Sequence, residues 1–391
     1  MKRFLVAAFI LSSLFSYAQN ASRIHERISV VDTHDDVLSR QLISGADLGK
    51  RQSTGAFDLV KAKEGGLDVQ IFSIWCEDDY GKGTAFKHAN REIDSLYALI
   101  KRYPRRIQFV HNVRDIAIAN RMGKMAAAFG VEGGHMIEDR LDYIDSLAKR
   151  GMVYLTLTWN NSTSWATSAR DERFKKDSLP HLGLTDLGKQ MVKRLNDLNV
   201  MVDVSHVGEN TFWDVLKTST KPVIASHSCV YSLCPHQRNL KDEQLKAIAE
   251  KGGVVFVNFY SGFLDSTYSK KQDAFLKLHK TELDSLVKVY NDYDRAVNMI
   301  NAKYKTESDA IRAPLSLLIK HIDYMVKLIG ADHVGIGADF EGAESYPLGL
   351  DSVADYPKVT AALLALNYSL PDVEKIMGGN FLRVWAKNKP R

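Results

Sequence analysis

Along the chain, apolar stretches of strand length alternate with segments whose apolar positions recur every three to four residues. The strand-like runs cover residues 30–34, 67–75, 125–131, 152–158, 200–204, 222–225, 254–259 and 334–338. Most are apolar throughout, the pattern of strands buried on both faces. Between them, residues 57–64, 84–103, 137–150, 184–198, 210–218, 242–251 and 314–329 carry helical spacing, with Thr185 placed to cap one helix and Pro104 to end another. Residues 21–28 read as a helical turn, 370–384 as a closing helix, and 40–58 and 159–168 as loops. Eight buried strands, each followed by helical text, predict an α/β fold, the (β/α)8 TIM-like barrel, whose chemistry sits at the carboxyl ends of the strands. Residues 265–312 break the alternation, being dense in Lys, Asp and Glu at helical spacing. They predict a helical insertion after the seventh strand: a lid, an interface arm of a homodimer, or, the preferred reading, an ordinary solvated insertion.

The strand ends carry His34, Asp36, Glu132, His206, His227 and Asp339. Alternate residues of a strand share a face, so His34 and Asp36 are expected to point the same way. One such pair standing alone is more often a core histidine near a surface acid; its recurrence at strand after strand is what core packing does not explain. Three imidazoles and three carboxylates exceed the three protein ligands of one catalytic zinc. They suit two cations about 3.5–4 Å apart that share a carboxylate and a hydroxide. Glu132, long enough to offer one oxygen to each, is the natural bridge, and no strand end offers a lysine in its place. Mixed imidazole and carboxylate ligation without thiolate favours Zn²⁺, two per chain, with Mn²⁺, Co²⁺ or Fe²⁺ as alternatives.

Composition narrows the setting. The 391 residues admit one large barrel or two ordinary domains, and the formal charge of +5 with no basic run gives no reason for a nucleic-acid partner. Lys2 and Arg3 precede a short apolar core, and Ser16-Tyr17-Ala18 offers small residues for cleavage. Residues 1–18 therefore read as a signal peptide, leaving a single barrel domain at 19–391 that is exported, periplasmic or secreted. No other apolar run has membrane length and residues 387–391 are polar, so no stable membrane anchor is expected. Cys76, Cys229 and Cys234 are an odd number, and no disulfide framework is expected, although Cys229 and Cys234 are spaced to allow a bridge.

An ordered series of motifs carries a family resemblance: DTHDD (32–36), VEGG (131–134), VDVSH (202–206), IASHS (224–228), RNL (238–240), VNFY (257–260), HVGIGADF (333–340) and GGNFLRV (378–384). The chain resembles the membrane (renal-type) dipeptidases, zinc metallopeptidases among the amidohydrolase-like barrels. The resemblance implies that His34, Asp36 and Glu132 hold one zinc and that Glu132, His206 and His227 hold the second. It further implies that Asp339 stays near the bridging water without ligating firmly, that Arg238 grips the free carboxylate of a dipeptide, and that Tyr260 lines the pocket; from that place Asp339 is the expected catalytic proton carrier. A dipeptide is then the expected substrate, including one with a C-terminal D-residue. The sequence departs from the pattern at Trp159, where many members have histidine, which puts one substrate contact in doubt; Asn160 or Asn161 is a candidate replacement. Two rivals share the fold: another binuclear barrel hydrolase acting on N-acyl amino acids, lactones or cyclic amides, and a non-catalytic exported binding protein. The second is disfavoured because all five ligands and Asp339 are present.

Overall fold

The computed structural model describes residues 21–388; residues 1–18, the expected signal peptide, lie outside them. Nine parallel strands form one sheet: β1 (Val31–Asp35), β2 (Val69–Ile74), β3 (Ile107–Phe109), β4 (Met125–Glu132), β5 (Met152–Thr156), β6 (Met201–Asp203), β7 (Ile224–Ser228), β8 (Val254–Val257) and β9 (Val334–Ile336). Eight of them follow one another as β1-β2-β4-β5-β6-β7-β8-β9. The ring closes where Asp35 bridges Phe340 and the Asp36 N–H donates to the Phe340 carbonyl at 2.9 Å. This is the expected (β/α)8 barrel. Strand β3 is an addition: it pairs with Met125–Ala127 at the start of β4, ahead of the point where β5 joins at Phe129.

Side-chain alternation along β4 shows how the barrel is filled. Ala126 and Ala128 cluster with Val31, Val69, Ile71, Met201 and Phe256, while Ala127, Phe129 and Val131 pack into the larger core under the helices. On the inner row Gly130 leaves room for the Tyr154 ring: a Cβ there would lie 2.0 Å from it. Glu132 ends the same row, so small residues below make space for one large carboxylate above.

Several elements differ from the sequence reading. Helices Val37–Ser44, Val113–Arg121 and Tyr356–Ala365 were not anticipated; the first occupies what reads as a loop. It buries only Val37 and Leu38, too few apolar positions to show a period. The expected closing helix is present and runs on to Asn388, as Leu370–Glu374, a wider helical turn over Lys375–Gly379, and Asn380–Asn388. Gly378 in that turn lets the helix pack closely on the chain entering β1, because a Cβ there would lie 2.3 Å from the Ser29 carbonyl. Thr185 does cap the helix Asp186–Asp197, accepting from the Gly188 N–H.

The inserted segment forms four helices, Tyr268–Leu278, Lys280–Tyr290, Tyr293–Lys303 and Lys305–Ile311. They share a small core of Phe275, Leu276, Leu283, Ala296, Val297 and Ile300. The chain entering it and its own last residue are tied to the loop after β9, Ser261 N–H donating to the Ser345 carbonyl (2.9 Å) and Arg312 Nε to that of Tyr346 (2.8 Å). No helix among the described residues is long and apolar enough to cross a membrane. The three cysteines are buried free thiols.

Candidate metal centre

The six residues anticipated at the strand ends converge at the mouth of the barrel, all buried. Glu132 stands in the middle. Its Oε2 lies 3.1 Å from His34 Nε2, and its Oε1 lies 2.8 Å from His206 Nε2 and 3.6 Å from His227 Nε2. Asp36 Oδ2 and Asp339 Oδ1 approach His34 Nε2 at 3.5 and 3.9 Å. Asp36 reaches this position by a different route from the one expected: it follows β1 at the turn into Val37–Ser44, so the turn and not strand alternation aims its carboxylate.

Backbone strain and one missing side chain shape the cradle. His206 and Asp339 both adopt left-handed backbone, φ 64° and 62°, an unfavourable state for residues bearing a Cβ and one that collects at functional sites. A Cβ on Gly342 would lie 2.2 Å from Asp36 Oδ2 and 2.3 Å from Asp339 Oδ1. Only glycine lets that loop pass so close to both carboxylates.

Neighbouring hydroxyls set the imidazole tautomers. Tyr154 donates its O–H to the Thr33 carbonyl (2.9 Å), so its oxygen accepts from His34 Nδ1–H at 2.9 Å and the Nε2 lone pair is left for the cradle. Ser226 Oγ stands in the same relation to His227 Nδ1, at 2.8 Å. Tyr154, Ser226, Gly342 and Asn258, whose Nδ2 donates to Asp339 Oδ2 at 2.8 Å, went unassigned in the sequence reading. Ser226 and Asn258 sit inside quoted motifs, beside or near a ligand, and that adjacency was the available signal.

Electrostatics agree with a site built for cations. Burial works against a charged His34, yet Tyr154, Glu132 and Asp36 hold its imidazole well above the usual range. Burial also opposes the Glu132 charge, but His34 and His206 hold that carboxyl well below its usual range. Burial and Arg238 push His206 down to about 3, and burial, His34 and Arg238 hold His227 well below the usual range. Burial, with Asp36 and Glu132 close by, pushes Asp339 up to about 8 against the pull of His34 and Asn258.

The donor set fits divalent cations. Ligand atoms of His34, Glu132 and His227, and of His34, Asp36 and Asp339, each lie within 4.8 Å of one another. The Nε2 atoms of His206 and His227 face each other at 3.0 Å, and Asp36 Oδ1 is buried without a partner. Two apposed ring nitrogens and an unpaired buried oxygen are costly unless something electropositive sits between them.

Arg238 lies beside this cluster, buried, with its Nε unpartnered and a long 3.5 Å contact from Nη2 to the His227 carbonyl. Burial lowers it to about 10, opposed by Asp339, Glu132 and Asp203. No carboxylate among the described residues forms an ion pair with it. Tyr260, Trp159 and Asn160 make no hydrogen bond to the six-residue cluster. The Tyr260 hydroxyl donates to Glu344 (2.5 Å), and its N–H reaches Asn258, the residue that holds Asp339. Trp159 packs edge-on against Trp75, centroids 5.1 Å apart, and the Asn160 carbonyl accepts from Ser168.

A parallel barrel with imidazoles and carboxylates crowded at its carboxyl end is the architecture of a metal-dependent hydrolase. The model of the membrane dipeptidase family, peptidase family M19, matches residues 18–390, and the chain belongs to that family of metallo-dipeptidases. An uncharacterized dipeptidase of Schizosaccharomyces pombe is 31% identical over 95% of this chain and 83% of its own length. Among solved structures, the probable dipeptidase PvdM of Pseudomonas aeruginosa superposes with a TM-score of 0.77 at 28% identity, covering 96% of this chain and 98% of that one. A metallo peptidase of Rhodobacter sphaeroides, solved with a phosphinate mimic of the dipeptide L-Ala-D-Ala, shares the fold with a TM-score of 0.73 at 23% identity, covering 92% and 99%.

Proposed function

We propose that this chain is an exported binuclear zinc dipeptidase that cleaves the peptide bond of dipeptides, including those with a C-terminal D-residue. The observation that carries the substrate class is Arg238: a buried guanidinium without an acidic partner, next to a cluster of metal-ligating atoms. A fork of N–H donors suits a free carboxylate, which it can bind through both oxygens. Placing that carboxylate one residue beyond the scissile bond restricts cleavage to short peptides.

His34, Asp36 and Glu132 would hold one zinc, and Glu132, His206 and His227 the other. Bound zinc supplies Lewis acidity and a water acidic enough to ionise near neutrality. Asp339 takes the proton of the attacking water and passes it to the leaving amine, a general base and then a general acid. Asn258 keeps one Asp339 oxygen occupied, so the other is the one that carries the proton. Trp159 and Tyr260 border the pocket; with Trp159 in place of histidine, Asn160 or Asn161 offers the polar contact. The D-residue rests on the motif resemblance, and export on residues 1–18.

Metal content and amino-acid release from an L-L and an L-D dipeptide, with and without chelator, test this reading. About two zincs per chain with chelator-sensitive release from both is expected. Two metals without dipeptide cleavage would shift the reading to N-acyl amino acid, lactone or cyclic amide hydrolysis.

A further inference from the structure

We propose that Asp203, acting through Ser226, is a positioning device for His227 and the determinant that lets the His206/His227 half of the centre hold its cation; the inference rests on the binuclear reading above. Asp203 ends β6 and is fully buried, and among the described residues its carboxylate hydrogen-bonds Thr156, Ser205 and Ser226 and none of the six strand-end residues. Four donors converge on its carboxylate: Ser205 N–H (3.0 Å) and Ser226 N–H (2.8 Å) on Oδ1, Thr156 O–H (2.5 Å) and Ser226 O–H (2.6 Å) on Oδ2. With its acceptor positions filled, this carboxylate takes the Ser226 proton and dictates the direction of that hydroxyl. The other contact of Ser226 Oγ, Ser205 Oγ at 3.4 Å, is far longer than the carboxylate bond. Ser226 Oγ therefore turns its lone pair to His227 Nδ1, 2.8 Å away, and accepts the ring proton. His227 is left with a bare Nε2 aimed at Glu132, as a ligand requires.

The two halves of the centre are not equally held. His34 has Tyr154 behind it and His227 has the Ser226–Asp203 pair, but His206 Nδ1 is buried with no partner at all. Among the described residues, the serine–aspartate relay is thus the one outer hydrogen-bond support of an imidazole in the His206/His227 half.

Zinc titration of the full chain against a competing chelator, with Ser226→Ala, Ser226→Thr and Asp203→Asn beside wild type, tests this. The expected result is roughly a ten- to hundred-fold loss of affinity for one zinc equivalent in Ser226→Ala, the scale of losing an outer-shell partner. The other equivalent is unchanged, and Ser226→Thr, which keeps the hydroxyl, restores the loss. Both equivalents bound as in wild type, or both weakened alike, would overturn the relay. Nitrogen-15 spectra of histidine in the metal-free protein give a readout independent of the binuclear reading: His227 as the Nδ1–H tautomer in wild type, mixed in Ser226→Ala. If Ser226→Ala does not fold, Ser226→Cys, a weaker acceptor, takes its place in both measurements. Wild type that takes up fewer than two zincs yet shows the fixed tautomer sinks the binuclear reading alone; a mixed tautomer in wild type sinks the relay.

Discussion

The mouth of the barrel and the inserted helices are both crowded with charge, and they treat it in opposite ways. In the insertion charges lie near solvent and several pair with one another: Lys280 with Asp284, Lys303 with Glu282, Lys305 with Asp309. At the mouth the charged and polar groups are buried and left incomplete, with Asp36 Oδ1, His206 Nδ1 and Arg238 Nε all lacking partners. Exposed pairs contribute little to stability, whereas an unpaired buried polar atom is a standing cost that folding alone does not explain. Single unpaired atoms such as Trp165 Nε1 and Asn388 Oδ1 occur elsewhere in the protein; what marks the mouth is that its unpaired atoms belong to metal-ligating and charged side chains gathered at one place.

If that contrast is right, the largest effect falls on Glu132, which faces both halves of the centre. Glu132→Gln is expected to lose bound metal and to lower kcat/KM on the order of a thousand-fold or more, the scale of several kcal/mol of Lewis-acid stabilisation; full metal content with near-normal turnover would break the comparison. Asp339→Asn should keep its metals and lose on the order of 10²–10⁴ in kcat, the range of a general base, as steady-state kinetics beside metal analysis will show. Arg238→Ala should act mainly on KM, raising it roughly ten- to a hundred-fold, the worth of hydrogen bonds to a charged group. An unchanged KM for dipeptides would remove Arg238 from substrate binding.

A smaller effect concerns pH. His34 lies well above its usual range without metal and Asp339 at about 8, so both hold protons at neutrality that a cation displaces. Zinc uptake by the metal-free protein should therefore release protons, and its apparent affinity should rise with pH through neutrality. Calorimetry in buffers of different ionisation enthalpy reads this directly; no proton release would contradict the assignment. Least of all should Lys280→Ala do: melting temperature and kcat/KM are expected to match wild type, and a loss comparable to that of Arg238→Ala would end the distinction between the two regions.

What could be read from the sequence follows the same division. Strand ends were legible because a His, Asp or Glu closing an apolar run breaks the run's own pattern. The family, the barrel and the position of the insertion followed from there. Strand β3 was not visible: its three residues, in a stretch of four between Arg105-Arg106 and His111-Asn112, show no run, and pairing with β4 alone defines them. Asp203 escaped for another reason. A carboxylate at a strand end reads as a ligand or a surface acid, and only the meeting of β5, β6 and β7 shows that its four donors leave it no lone pair for a metal. Gly342 and Gly130 matter through the side chain they lack, and a gap filled by a partner distant in sequence leaves no local trace.

Tyr154 gives the barrel a mechanical property as well. Its hydroxyl ties β5 to β1 through the interior, holding the Thr33 carbonyl and the His34 ring with the same oxygen. Any breathing of the barrel that parts these strands pulls on a ring facing the metal cradle. Barrel cross-section and cradle geometry are therefore linked through one hydroxyl, so the spacing of β1 and β5 and the aim of the His34 ring are set together.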